Sequence, residues 1–388
     1  MVKKIKVMTV FGTRPEAIKM APVIKELEKN TDVFESIVAV TGQHREMLDQ
    51  VLELFNIKPN YDLNIMKQAQ TLVNITSKAL EDLDRVIKES QPDIILVHGD
   101  TTTSFVAGLA AFYNKITLAH VEAGLRTNHK YSPFPEEINR RLTAVMADIH
   151  FAPTKHASFN LLSEGYIEES IYVTGNTVMD ALKTTVAAEC TLPVQEEIND
   201  KRVILLTAHR RENLGEPLRN IFAAVKRIVS DFEDVRVVFP VHKNPEIRKI
   251  VQEELSGYPN VIQTEPLDPI QFHQLLKLSD LVLTDSGGIQ EEASYFNKKV
   301  IVLRKNTERP EGIEAGFLKL AGTDPGEVYA AVEEALSESK GHGTNQKRVL
   351  SPYGDGFASE RIIEVIKYHF GKIPNRPMNF EWEKNPEE

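Results

Sequence analysis

The sequence predicts an α/β protein built from two doubly wound domains facing each other across a cleft. Three observations predict it. Short, β-branched apolar runs alternate with helical stretches, a rhythm that implies parallel sheets covered on both faces. That rhythm runs once, loosens, and then restarts. The 388 residues also exceed what one ordinary core holds, so two cores are expected.

Taken in order, "IKVMTVFG" (5–12) reads as the first buried strand. The leading "MVKKIKVMTVFG" is basic and then apolar, faintly like a signal peptide. Its apolar part is short, however, and "GTRPE" stands where a small-residue cleavage site belongs. "RPEAIKMAPVIKELEKN" (14–30) follows as a helix, with Ile18, Ala21, Ile24 and Leu27 at helical spacing and a kink or restart expected at Pro22. The strands "SIVAVTG", "DIILVHGD" and "ITLAHVEAG" come next, separated by helices such as "TLVNITSKALEDLDRVIKES". Residues 174–200 loosen into a connector. The strands then resume as "RVILLTAH", "VRVVFPVH", "VIQTEPL", "LVLTDSG" and "KVIVLRK". A last helix, "ASERIIEVIKYHFGK", follows the turn "YGDG" and is expected to pack back on the first domain. The domains are placed at 1–180 and 181–360, with the C-terminal helix and tail at 361–388.

Composition excludes several classes. A formal charge of −10 at pH 7 argues against nucleic-acid binding, which leaves a basic footprint. No apolar stretch reaches about 18 residues, so no membrane-inserted helix is expected. The single Cys190 permits no internal disulfide and fits a reducing cytoplasm. Scattered histidines without cysteine partners give no metal site.

In doubly wound folds, ligands bind beyond the carboxyl ends of the strands. Those ends read Gly12-Thr13-Arg14, Gly42-Gln43-His44, Gly99-Asp100-Thr101, Glu122-Ala123-Gly124, His209-Arg210-Arg211, His242-Lys243-Asn244 and Asp285-Ser286-Gly287-Gly288. Each alone suits an ordinary turn. Seven together point to one ligand.

"LTDSGGIQEEA" (283–293) places Gly287 and Gly288 where a strand becomes a helix, so bare N–H groups and the helix dipole can take an anion. Ser286 can cap the helix or donate its hydroxyl. The stretch is neither a Walker loop nor a dinucleotide fingerprint. Glu292 falls on the face of Gly288 and can accept both hydroxyls of a ribose. Glu291, about 100° away, reads as solvated. Arg14 and Arg309 either neutralise phosphate or form surface ion pairs. The second domain thus reads as a nucleoside-diphosphate binder.

The first domain offers acids instead: Asp100, Glu122 and Glu136, with Glu137 as rival to Glu136. Carboxylates near a diphosphate site suggest acid–base work on an uncharged part of the ligand. Helix capping is the alternative for Asp100, and a common helix start for Glu136. His209 either pairs with phosphate, shuttles a proton or is a satisfied strand-end histidine.

"FGTRPEAIKMAPVI", "TGQH", "VHGDTTT", "HVEAGLRT", "SPFPEEINRRL", "VTGNTVMDAL", "TAHRREN" and "LTDSGGIQEEA" together resemble the non-hydrolysing UDP-N-acetylglucosamine 2-epimerases of bacteria, over nearly the whole chain. The resemblance implies a glycosyltransferase-B-like fold of two Rossmann-like domains and a homodimer. It implies interconversion of UDP-GlcNAc and UDP-ManNAc through 2-acetamidoglucal, with no cofactor, for cell-envelope polysaccharide. It further implies that Asp100, Glu122, Glu136 and His209 are catalytic or coupled to catalysis. Arg14, Lys19, Ser286, Gly287, Gly288, Glu292 and Arg309 correspond to UDP-binding positions, and Phe272 packs near uracil or in the core. A second, activating UDP-GlcNAc site has Gln43, His44, Gln70, Arg210 and His242 as candidates. Competing readings are a hydrolysing epimerase, a glycosyltransferase of the same fold, and a nucleotide-sugar sensor.

Overall fold

The structure, a computed structural model, describes residues 3–42, 45–66, 71–188, 190–339 and 350–382. They form two compact units: Met1–Ala181 with Tyr353–Trp382, and Leu182–Pro352. Among the described residues, no helix is long and apolar enough to cross a membrane.

The first unit holds seven strands: β1 (Ile5–Phe11), β2 (Phe34–Val40), β3 (Tyr61–Asp62), β4 (Ile94–His98), β5 (Thr117–Val121), β6 (Ile149–Ala152) and β7 (Ile171–Val173). All pair in parallel, in the order β3-β2-β1-β4-β5-β6-β7. The second holds β8 (Arg202–Thr207), β9 (Val235–Pro240), β10 (Val261–Thr264), β11 (Leu281–Thr284), β12 (Lys299–Val302) and β13 (Leu318–Leu320), also parallel, in the order β10-β9-β8-β11-β12-β13. In each sheet the winding reverses beside the first strand, at β1/β4 and at β8/β11. A reversal splays the two following loops apart and opens a crevice at the strand ends. The loops after β1 and β4, and after β8 and β11, are those carrying Arg14, Asp100, His209 and Ser286.

Both faces of each sheet are covered, which is why the strands are apolar throughout rather than alternating. The helix Arg14–Lys29 shows how burial overrides local preference. It runs unbroken through Pro22, where a kink or restart was expected. Ala21, Val23 and Ile24 on either side of the proline are fully buried, and seating each such valine or isoleucine contributes about 1.5–3 kcal/mol. That offsets the hydrogen bond that the proline removes.

The helix Ala358–His369 belongs to the first unit, where Ile362, Ile363, Val365 and Ile366 join the core containing β1. Its own N-cap residue, Phe357, has no capping side chain. Asp180 caps it instead, accepting from Ala358 N at 3.1 Å, Ser359 N at 2.9 Å and the Ser359 hydroxyl. Beyond the helix, Phe380 N donates to Val173 O and Val173 N donates to Asn379 Oδ1, so the tail covers the edge strand β7.

Three buried histidines lie side by side at this end of the sheet. His98 closes β4, and His120 of β5 is in register with His150 of β6. Burial pushes all three imidazoles down, to about 4, about 3 and about 4 respectively.

Candidate functional site

In the first unit the site is assembled by a carboxylate that the sequence reading passed over. Glu16, in the first turn of the helix Arg14–Lys29, is buried. It accepts from Gly12 N (3.0 Å) and Thr13 N (2.8 Å) after β1, and from the Thr101 (2.6 Å) and Ser104 (2.9 Å) hydroxyls after β4. Burial raises its carboxyl above the usual range, against the pull of those donors. Glu16 therefore ties together the two loops flanking the sheet reversal. Gly12 completes the join, because a Cβ there would stand 2.0 Å from Thr41 Oγ1.

Asp100 does not cap the following helix, since Thr101 does. Its carboxylate pairs with buried Arg140, and its carbonyl accepts from Asn139 Nδ2 at 3.0 Å. Glu122 follows β5 in the left-handed region at φ 63°, a costly place for a residue with a Cβ. Its carboxylate pairs with Lys19 and accepts from Asn176 Nδ2 at 2.7 Å, with His98 Nε2 at 3.7 Å. Lys19 is thus set against an acid of its own unit. Glu136 opens the helix Glu136–Met146 without a side-chain cap on Pro135. Its rival Glu137 is fully buried and accepts from Thr127 N, Asn128 N, Arg140 and Arg141, which makes it a structural clamp.

In the second unit Asp285, noted at its strand end but given no role, organises the loops. Asp285, fully buried after β11, accepts from the backbone N–H groups of His209 (3.0 Å) and Arg210 (2.9 Å) and from Asn213 Nδ2 (3.0 Å). His209 Nδ1 lies 3.2 Å from Asp285 Oδ1. Burial would push this carboxyl up, but His209, Arg210 and Asn213 together hold it below the usual carboxylate range. The Nδ1 contact fixes the imidazole, which is 40% exposed and stacks on His242 with centroids 5.7 Å apart. Arg210 Nε donates to Asp285 O at 2.8 Å, and its guanidinium lies 3.8 Å from both Glu212 and Glu308.

Ser286 is the N-cap of the helix Gly287–Tyr295 by backbone alone, its side chain making no cap hydrogen bond. Its N–H donates to Thr284 Oγ1 at 2.9 Å. A Cβ on Gly287 would stand 2.5 Å from Arg309 Nη1, so only glycine allows that approach. Arg309 is buried and bonds Glu291 (2.7 Å) and Glu308 (2.6 Å). Glu291 is consequently only 1% exposed, against the solvated position expected for it. The turn of the helix places it away from Glu292 as expected, but the segment carrying Arg309 covers that side. Glu292 lies beside Gly288, 3.6 Å from where a Cβ would be. Its carboxylate is 3.5 Å from Nε2 of buried His273, the neighbour of half-buried Phe272. Gln43, His44 and Gln70 lie outside the described residues. Among the described residues, no cluster of three or more His, Cys, Asp or Glu could hold a metal ion.

With this geometry in place, the likeness to known proteins is informative. The family model described as UDP-N-acetylglucosamine 2-epimerase matches residues 25–367. A Bacillus subtilis (strain 168) relative, UDP-N-acetylglucosamine 2-epimerase, is 55% identical over 378 residues, 97% of this chain and 99% of its own length. The S. aureus MnaA-UDP co-structure superposes with a TM-score of 0.91 at 54% identity, over 97% of this chain and 100% of that one. The Neisseria meningitidis UDP-GlcNAc 2-epimerase bound to UDP-GlcNAc gives a TM-score of 0.87 at 46% identity, over 94% of this chain and 100% of that one.

Proposed function

The chain belongs to the UDP-N-acetylglucosamine 2-epimerase family of isomerases, and from that premise we propose that it interconverts UDP-GlcNAc and UDP-ManNAc by eliminating and re-adding UDP. In elimination the C1–O bond breaks and UDP leaves with the electron pair. The C2 proton passes to a carboxylate, and the C1=C2 bond of 2-acetamidoglucal forms. Re-addition with protonation on the other face of C2 gives the epimer. Asp100, Glu122 and Glu136 supply the acid and base groups.

The observation that carries this reading is Glu122. A half-buried glutamate held at positive φ just after β5, gripped by Lys19 and Asn176, is strain retained for a purpose. The reading assigns UDP to the second unit. The Ser286 hydroxyl and the N–H groups of Gly287 and Gly288 at the helix start take the diphosphate, Glu292 the ribose, and Phe272 the uracil edge. His209, braced by Asp285, stabilises the departing diphosphate. Arg14 adds positive charge, whereas Arg309 shapes the backbone under Gly287 and Lys19 holds Glu122. Relatives solved with UDP and with UDP-GlcNAc support the ligand class. A homodimer, a cytoplasmic location and use of the product in envelope polysaccharide rest on the family resemblance.

Incubation with UDP-GlcNAc alone in D₂O, followed by phosphorus and proton NMR, tests the reaction. The expected result is UDP-ManNAc carrying deuterium at C2, with little free UDP. Stoichiometric UDP would mean hydrolysis, unlabelled product would mean another route, and no change would mean a sensor.

Regulation belongs to the same proposal. A second UDP-GlcNAc engaging Arg210 and His242 would act on His209 directly, since Arg210 shares Asp285 with it and His242 stacks on it. Coupling of this kind is typically about 1–3 kcal/mol, or 5–150-fold. Sigmoidal kinetics in UDP-GlcNAc are expected, flattened in Arg210→Ala. Hyperbolic wild-type kinetics would remove the second site.

A further inference from the structure

We infer that Asn176 is a positioning residue for this reaction, its side-chain amide holding the Glu122 carboxylate while its backbone is fastened to the point where the chain returns to the first unit. The inference rests on the proposed epimerase reading and deepens it.

Every hydrogen-bonding arm of Asn176 that the structure shows is committed, and the residue is 2% exposed. Nδ2 donates to Glu122 Oε2 at 2.7 Å, Oδ1 accepts from Val178 N at 3.0 Å, and its own N–H donates to Tyr353 O at 2.7 Å. The chain leaves the first unit after Ala181 and returns at Tyr353, so Asn176 lies five residues before one crossing and bonds directly to the other. Two glycines at positive φ, Gly175 (+84°) and Gly354 (+142°), let these backbones meet. A Cβ on Gly175 would stand 3.2 Å from Gly354 Cα, and one on Gly354 would stand 3.3 Å from Asn176 N.

At the other end, the consequence falls on the acid. Lys19 and Asn176 both reach Glu122 Oε2, one from a helix and one from the crossing, which fixes the carboxylate rotation. Oε1 is thereby held near Gly99, 3.6 Å from where a Cβ would be, and next to Asp100. Asn176 thus sets how this acid stands against the loop after β4. A carboxylate with a single cationic partner can swing about its terminal torsion, which is broad and two-fold. Reacting groups displaced by as little as 1 Å lose rate steeply.

Asn176→Asp tests the assignment. The variant keeps the Val178 acceptor and the backbone bond to Tyr353, but faces Glu122 with a carboxyl oxygen instead of an N–H. Expected are a kcat at least about 10-fold lower and a KM within about 2-fold of wild type, the signature of a lost transition-state contact. The acid limb of the kcat–pH profile should also move upward, because two adjacent carboxyls come to share a proton. Lys19 and His98, which also face Glu122, are unchanged in the variant. Asp180→Asn is the control. It loosens the cap on Ala358 and Ser359 without touching Glu122, so Tm should fall while kcat per folded molecule holds. If Asn176→Asp does not fold, Asn176→Ala, which deletes the donor without adding charge, is read for the same loss of kcat at constant KM. Variants of Asn176 that lose Tm alone, with wild-type kcat and pH profile, overturn the inference. A wild-type protein that does not epimerise overturns the reading beneath it instead.

Discussion

Glu122→Gln is expected to lower kcat by at least about 10²-fold, the usual scale for a general acid–base group, with Asp100→Asn and Glu136→Gln falling by similar factors. The structure makes the three variants unequal in a second respect. Asp100 and Glu122 do not stand in open solvent. Each faces a buried cation, Arg140 and Lys19 respectively, and removing the acid's charge takes an ion pair from that cation, although Arg140 keeps Glu137. Glu122→Gln and Asp100→Asn should therefore also melt earlier than wild type, while Glu136→Gln, at an uncapped first turn, should not. Activity must accordingly be normalised to folded protein by circular dichroism before rates are compared. Three variants turning over like wild type would end the catalytic assignment.

Stability is expected to fall on mild acidification, driven by His98, His120 and His150. Their folded values lie near 4, 3 and 4, below the ordinary 6.5, so the unfolded chain takes up protons first as pH falls. Their stabilising contribution is complete above pH ~6.5 and is lost progressively below it. At pH 5.5 each costs about 1.4 kcal/mol, and the three about 4 kcal/mol, or a Tm fall of about 8–16 °C in the first unit. Glu16, whose carboxyl is raised, works in the opposite direction and reduces the fall. Melting at pH 7.5 and 5.5 measures the effect. His150→Phe, at the edge-on contact with Tyr166, should lessen the slope by about a third, and a melting point indifferent to pH between these values would refute the account.

Much of this architecture was legible because strand–helix alternation is a local signal. The long strands and the turns closing them follow from apolar runs ended by glycine. The strands β3, β7 and β13 escaped notice because two or three residues carry no periodicity to read, and the four-residue β6 escaped with them. Asp100, Glu122 and the Ser286–Gly288 stretch could be singled out because strand ends are where ligands sit. Glu16, Glu137 and Asp285 could not be given their roles in the same way. Each is defined by donors brought to it from other segments, and nothing in the flanking residues announces them. Glu291 shows the limit most clearly. Helical geometry set its direction relative to Glu292, but burial depended on Arg309, 18 residues further along.

The final helix has a consequence for biogenesis. Ile362, Ile363, Val365 and Ile366 complete a core whose other members come from the first half of the chain, whereas Leu182–Pro352 is continuous in sequence. A chain emerging from the ribosome therefore exposes the first sheet with a helix missing, and synthesis at about 5–20 residues per second leaves it so for on the order of 10 s or more. The unit made second is the one able to finish folding first, and the unit made first must wait for the helix Ala358–His369.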